Sequence, residues 1–339
     1  VTELLPIVVI GAGPQGLAAA AHLLEHGIEP LVFEAGAGPA AAVSEWGHVR
    51  LFSEWPELVD AAASRLLAPT GWVAPTKGYP TGAKWVSSYL APLASALGDR
   101  IRYGTRVTGV GRRGRDRLVD AGRGEQPFTV HVVDAEGVET RVDARAVIDA
   151  SGTWAQPNPA GADGLPALGE RAAADFVSYR IPNCADAEQY AGKHTVVVGS
   201  GHSAATAVIE LSRVVKQHPN TRVTWALRRG TVGNTFGGGL ADELPARGAL
   251  GTRAQQLVDT GVVDLVTGFR VEQIRTDGAG AVLVSEDGRA LPVAEKVVVL
   301  TGFRPDLSFL SEIRLELDPT LQAPVRIAAE VDPNLHSCG

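Results

Sequence analysis

The 339-residue sequence predicts an α/β protein of two three-layer domains, one inserted into the other. Three observations predict it. Near residue 11 a run of β-branched residues breaks into a glycine-rich turn and then a helix pattern. The same series recurs near residue 199. The length suits two ordinary domains, each able to bury its own core.

In chain order, Ile7-Val8-Val9-Ile10 reads as a strand buried on both faces of a parallel sheet. Gly11-Ala12-Gly13-Pro14-Gln15-Gly16 follows at once, and Leu17 to His26 reads as a helix stopped by Gly27. A second strand, Leu31-Val32-Phe33, ends at Glu34 and Ala35. Gly11 permits the tight turn, and Gly13 lets the backbone approach a pyrophosphate. Gly16, with the small residues Ala18 to Ala21, lets the helix pack close to the strand. The helix start offers unpaired N–H groups to phosphates. Glu34 follows Gly16 by 18 residues, near the ~20 expected of an acid that binds ribose hydroxyls. An acid there repels a 2′-phosphate, so this Rossmann-like unit suits FAD or NAD.

The second unit repeats the first with two changes. Thr195-Val196-Val197-Val198 is the strand, Gly199-Ser200-Gly201-His202-Ser203-Ala204 the turn, and Ala205 to Lys216 the helix. The next strand, Arg222 to Leu227, ends in Arg228-Arg229. Ala204 replaces the third glycine, and two arginines stand where the first unit has its acid. Guanidinium groups pair with a 2′-phosphate and stack on adenine, so this site reads as NADPH-binding. The alternative is that both arginines solvate a strand end. Two dinucleotide sites in one chain imply a relay from NADPH to FAD and onward, with the cofactors carrying the chemistry. No catalytic side chain is assigned.

Composition narrows the partners. The net charge is -7 and 45% of residues are hydrophobic, a folded, mildly acidic protein without a nucleic-acid surface. No apolar run approaches the ~18 residues that span a bilayer, so no membrane partner is expected. The chain enters its first strand with no basic segment or cleavage site, so no secretion signal is expected and the cytoplasm is the expected compartment. Cys184 and Cys338 form no C-x-x-C and read as reduced thiols. His22 and His26 share a helix face without a third ligand, so no metal site is expected. The arginine-rich stretch 111–124 is interleaved with acids and glycines and reads as a mobile loop. Gly237-Gly238-Gly239 is either a hinged lid or a surface loop.

The sequence resembles the two-dinucleotide-binding-domain flavoproteins, and among them the flavin-containing monooxygenase-like group that includes bacterial flavoproteins of metal and arsenic resistance clusters. Ala146 to Asp149 with Ala150-Ser151-Gly152 matches the turn where the chain leaves the FAD domain. Lys296 to Leu300 with Thr301-Gly302 matches the return turn. The resemblance implies that Trp46 lies near the flavin, with ordinary core packing as the alternative. It also implies that the backbone at Val107 meets the FAD adenine. Tyr79-Pro80-Thr81 resembles the family's entry to a helix, here Trp85 to Leu97. Two departures stand out. The monooxygenase fingerprint F-x-G-x-x-x-H is reduced in Phe176 to Pro182 to its phenylalanine. The family's C-terminal closing segment would here be reduced or lie beyond Gly339.

The expected organisation is a discontinuous FAD domain, 1–153 plus 300–339, around an NADPH domain, 154–299. Segments 127–133 and 138–143 alternate as a small antiparallel sheet should, and helices are expected on both faces of each parallel sheet. The implied function is an FAD- and NADPH-dependent monooxygenase that uses a C4a-(hydro)peroxyflavin to oxygenate a small molecule with oxygen. The alternatives are a flavin reductase serving an external acceptor and a non-catalytic redox sensor. A homodimer is the default assembly.

Overall fold

The computed structural model describes residues 5–236, 244–332 and 335. The chain divides into two compact units, Val1–Ala155 with Pro305–Gly339, and Gln156–Arg304.

The first unit holds a parallel sheet of β1 (Ile7–Ile10), β2 (Pro30–Phe33), β3 (Ile101–Arg102) and β7 (Ala146–Asp149), ordered β3-β2-β1-β7. Alternate residues of β1 serve opposite faces, as strand geometry requires. Val9 packs with Leu17, Leu67, Leu90, Leu93 and Leu97 of the helices. Val8 and Ile10 pack with Val110, Val130 and Val132. Those three belong to an antiparallel sheet of β4 (Arg106–Arg112), β5 (Phe128–Val133) and β6 (Glu139–Ala144). The layers are therefore helices, parallel sheet and antiparallel sheet. This corrects the expectation of helices on both faces: the apolar stripe of the small sheet already covers the second face.

The helices of this unit are α1 (Pro14–Glu25), α2 (Ala41–Glu45), α3 (Trp55–Leu58), α4 (Ala61–Leu67), α5 (Gly82–Trp85) and α6 (Ala91–Leu97). The helix expected over Trp85 to Leu97 starts earlier and loosens into a π turn at Val86–Leu90. Pro92 explains the break, since it has no N–H to bond the Ser88 carbonyl four residues back. The Trp72 indole donates to that carbonyl instead, at 2.8 Å.

The second unit is laid out alike. Its parallel sheet runs β11-β10-β9-β14-β8, from β8 (Val177–Ser178), β9 (His194–Val198), β10 (Arg222–Ala226), β11 (Asp264–Val266) and β14 (Lys296–Val299). Val197, Trp225 and Val298 face α7 (His202–Gln217) and α8 (Pro245–Asp259). Val196, Val198 and Val297 face the antiparallel pair β12 (Val271–Thr276) and β13 (Ala281–Ser285).

Residues 156–159 and 301–304 pair within this unit: Pro157 bridges Phe303, Asn158 N–H donates to the Gly302 carbonyl and Arg304 N–H to that of Gln156. Thr301 and Gly302 thus lie with the second unit. The arginine-rich stretch is, beyond the end of β4, the loop that joins β4 to β5, as expected, and several of its arginines are tied down. Arg112 lies over the Phe128 ring, Arg113 pairs with Asp143, and the nearly buried Arg123 donates to the Glu312 carbonyl at 2.6 Å. Those partners lie far off in sequence, which no local pattern reveals. Among the described residues, no helix is long and apolar enough to cross a membrane.

Candidate functional site

Each parallel sheet ends in a glycine turn that leads straight into a helix. In the first unit Gly11 N–H bonds the Phe33 carbonyl and Ala150 N–H bonds the Ile10 carbonyl, so β1, β2 and β7 end together. Gly11 takes φ +99°, and a Cβ there would sit 2.6 Å from the Ala150 carbonyl oxygen. A Cβ on Gly16 would sit 1.9 Å from the Gly11 carbonyl oxygen. These two glycines are required by the protein's own packing. Gly13 is different: a Cβ there would meet nothing within 4 Å. It caps α1, Pro14 opens the helix, and no side chain caps it. The open room over uncapped N–H groups suits a phosphate. Gln15, one residue into the helix after Pro14, is exposed.

Glu34 closes the turn from the side. Its carboxylate accepts from Ala12 N–H and Gly36 N–H, each at 2.7 Å. Glu34 and Ala35 directly follow β2, where ribose hydroxyls would find an acceptor already oriented by the backbone. Ala150, Ser151 and Gly152 lie at the end of β7, with Ser151 N–H bonded to Asp149. Val107 lies in β4 opposite Val132, beside a β-bulge. Trp46 packs on Gly82, where a Cβ would meet its ring at 2.8 Å. The platform beneath it is zipped: Gly82 N–H bonds the Val49 carbonyl and Leu51 N–H that of Pro80. Nearby, the Trp154 indole donates to Glu45 at 2.7 Å.

The second unit has the matching cradle. Gly199 N–H bonds the Ala226 carbonyl and Leu300 N–H the Val198 carbonyl. Gly199 takes φ +135°, with its hypothetical Cβ 2.2 Å from the Leu300 oxygen. Gly201 caps α7 without a side-chain cap and, like Gly13, leaves open room. His202 and Ser203 open the helix, which starts before the expected Ala205 because the turn feeds directly into it. Ala204 is buried. Thr301 donates its hydroxyl to the Asn158 and Pro159 carbonyls, and Gly302 takes φ +102° beside the Asn158 amide.

Arg228 and Arg229 are exposed at the end of β10. Arg228 Nη1 donates to the Ala162 carbonyl at 2.9 Å, and the Arg229 carbonyl accepts from Gly268 N–H. The contact with the 160–167 loop carried no signal in the sequence.

Cys184 is the one described free thiol, and burial pushes it up to about 12. His22 bonds Asp60 at 3.0 Å, and His26 its own helix backbone. Gly237-Gly238-Gly239, weighed as a lid, and Cys338 lie outside the described residues.

Both turns leave open room at an uncapped helix start, the local geometry a dinucleotide pyrophosphate needs. The profile of the pyridine nucleotide-disulphide oxidoreductase family matches residues 8–326. Bacillithiol disulfide reductase from Bacillus cereus superposes with a TM-score of 0.71, at 22% identity, over 94% of this chain and 84% of that one. The cadaverine monooxygenase of the desferrioxamine pathway from Erwinia amylovora, solved with FAD, gives 0.67 at 17% identity, over 94% and 84%. These two likenesses speak to the fold. An FAD-dependent monooxygenase of Neosartorya fischeri, nscC, is 38% identical over 80 residues, which is 20% of this chain and 20% of its own length. The chain belongs to the pyridine nucleotide-disulphide oxidoreductase family. As a member of that family it is a pyridine-nucleotide oxidoreductase.

Proposed function

We propose that this family member is a monooxygenase that oxygenates a small molecule, with FAD held by the first unit and NADPH by the second. The observation that carries this reading is the thiol inventory. The chain has two cysteines and no C-x-x-C, and the Cys184 thiol is pushed up to about 12 by burial. A thiol so rarely ionised near neutral pH is a poor partner for disulfide exchange. Bound FAD and NADPH supply hydride transfer and the reaction of reduced flavin with oxygen.

The chain's own residues do the binding. Gly11, Gly13 and the start of α1 take the FAD pyrophosphate, and Glu34 accepts from its ribose hydroxyls. The Val107 backbone lies against the adenine, and Trp46 with Ala150, Ser151 and Gly152 borders the rest of the cofactor. Gly199, Gly201 and the start of α7 take the NADPH pyrophosphate, with Thr301 and Gly302 at the rim. Arg228 and Arg229 pair with the 2′-phosphate. On this reading the partners are a small substrate and oxygen, the compartment is the cytoplasm and the assembly a homodimer.

A second reading, a reductase serving an external acceptor, is favoured by one feature. In Phe176 to Pro182 the Phe176 ring packs against the core and the Tyr179 hydroxyl is committed to Glu170, which leaves the stretch a structural part. Anaerobic mixing of the protein with NADPH, then with oxygen, separates the two while the flavin absorbance is followed. Bleaching followed by a persistent band that is neither oxidised nor reduced flavin is the expected result. Immediate return of the oxidised spectrum favours the reductase. No bleaching overturns both.

A further inference from the structure

We propose that Glu170 is a positioning residue for dinucleotide selectivity: it folds the 160–167 loop so that the Ala162 carbonyl aims Arg228 at a 2′-phosphate. The inference rests on the reading of Arg228 as the phosphate ligand and adds the part of the fold that makes it selective.

Glu170 is 2% exposed, a depth at which a carboxylate persists only if fully hydrogen-bonded. Its two oxygens accept from Ala160 N–H at 2.9 Å, Ala167 N–H at 2.7 Å and the Tyr179 hydroxyl at 2.7 Å. One side chain thus ties both ends of the loop. Burial and the adjacent Glu170 push the Tyr179 hydroxyl well above the ordinary tyrosine range, so it stays a donor.

Between those ends the loop folds on itself. Gly164 N–H bonds the Gly161 carbonyl, and a Cβ on Gly161 would sit 2.0 Å from the Leu165 oxygen. Ala162 is held on one side, its N–H donating to the Val271 carbonyl at 3.0 Å, and offers its own carbonyl to Arg228 Nη1 on the other. The backbone flanking Arg228 is fixed as well: Leu227 N–H bonds the Val266 carbonyl, Phe269 N–H that of Leu227 and Gly268 N–H that of Arg229. A guanidinium carries five N–H donors. Anchoring one on a rigid carbonyl orients the plane and leaves others for a bidentate grip on phosphate. An arginine ordered beforehand loses less freedom on binding. A dinucleotide without the 2′-phosphate gains nothing from that order, so the loop acts on selectivity rather than on binding in general.

The test is calorimetric binding of NADP+ and NAD+ to the flavin-loaded protein and to three variants. Arg228→Ala is expected to weaken NADP+ about a hundredfold, with NAD+ little changed. Glu170→Gln and the milder Tyr179→Phe are expected to weaken NADP+ about tenfold and about threefold, again with NAD+ little changed. If Arg228→Ala leaves the ratio of the two affinities as it was, the reading of Arg228 itself fails, and the Glu170 inference with it. If Arg228→Ala collapses the ratio while Glu170→Gln and Tyr179→Phe preserve it, or weaken both dinucleotides alike, Glu170 is a fold clamp and the inference alone is overturned. Should Glu170→Gln not fold, Tyr179→Phe decides.

Discussion

The turn at Gly11–Gly16 and the turn at Gly199–Ala204 stand at the same place in two sheets whose strand orders match over four strands, yet they are closed differently. In both, the first glycine is required by the carbonyl at the end of the neighbouring crossover strand, Ala150 or Leu300. They part at the third position. In the first unit the Gly11 carbonyl lies where a Gly16 Cβ would be. In the second unit the Trp225 indole donates to the Gly199 carbonyl at 2.7 Å, and Ala204 fits with its methyl buried. The residue on β2 in the register of Trp225 is Val32, which has no donor to offer. The lesson is that the third glycine answers to the orientation of the first glycine's carbonyl, and one indole can lift the requirement.

The sharpest way to break this comparison is to fill the first glycine of each turn. Gly11→Ala and Gly199→Ala each drive a Cβ into backbone at positive φ, a strain with no flexible atom to yield. Gly11→Ala is expected to purify without flavin. Gly199→Ala is expected to keep its flavin and lose reduction by NADPH. Absorbance per chain and anaerobic reduction read both, and loss of flavin from Gly199→Ala would show that the two cradles are not independent.

A smaller effect sharpens the third position. Trp225→Phe removes the donor from the Gly199 carbonyl and is expected to weaken NADPH about tenfold, in line with a lost hydrogen bond plus local repacking. Adding Ala204→Gly to Trp225→Phe should restore part of the affinity, because the freed carbonyl then has room. If the double variant binds no better than Trp225→Phe, the indole does not set the turn.

The smallest effect concerns a helix start that, unlike those of α1 and α7, has a side-chain cap. Asp60 caps α4, accepting from Ala63 N–H at 2.9 Å. Burial pushes its carboxyl up, but the Ala63 amide and His22 outweigh that and hold it below the ordinary 3.8. Asp60→Ala is expected to cost about 1 kcal/mol at pH 7 in urea unfolding. A group with a depressed folded pKa stabilises above its unfolded value and loses that contribution as pH falls through the folded one. The gap between wild type and Asp60→Ala should therefore hold down to about pH 5 and narrow below about pH 4.

How far the residues alone could be read differs from one region to the next. The two strand–glycine–helix units were legible because each part obeys a local rule: β-branched runs make strands, and glycines mark the turn. The acid and the arginines after the second strands were legible for the same reason. The break at Val86–Leu90 could have been suspected from Pro92, but its repair by the Trp72 indole depends on a side chain 16 residues away. The arginine-rich stretch looked like a free loop because its partners, such as Glu312, lie some 190 residues on.

By itself, then, the sequence determined the two α/β units, the positions of the glycines in their turns and the opposite charges that follow their second strands, since all of these are set by spacing within a few tens of residues. Only the tertiary structure decided that an antiparallel sheet, not helices, covers the second face of each parallel sheet. It also decided that Trp225 permits Ala204, and that a buried Glu170 fixes the loop on which Arg228 rests. Each of these depends on which distant atoms arrive within hydrogen-bonding reach once the core has closed, and no local pattern of residues encodes that.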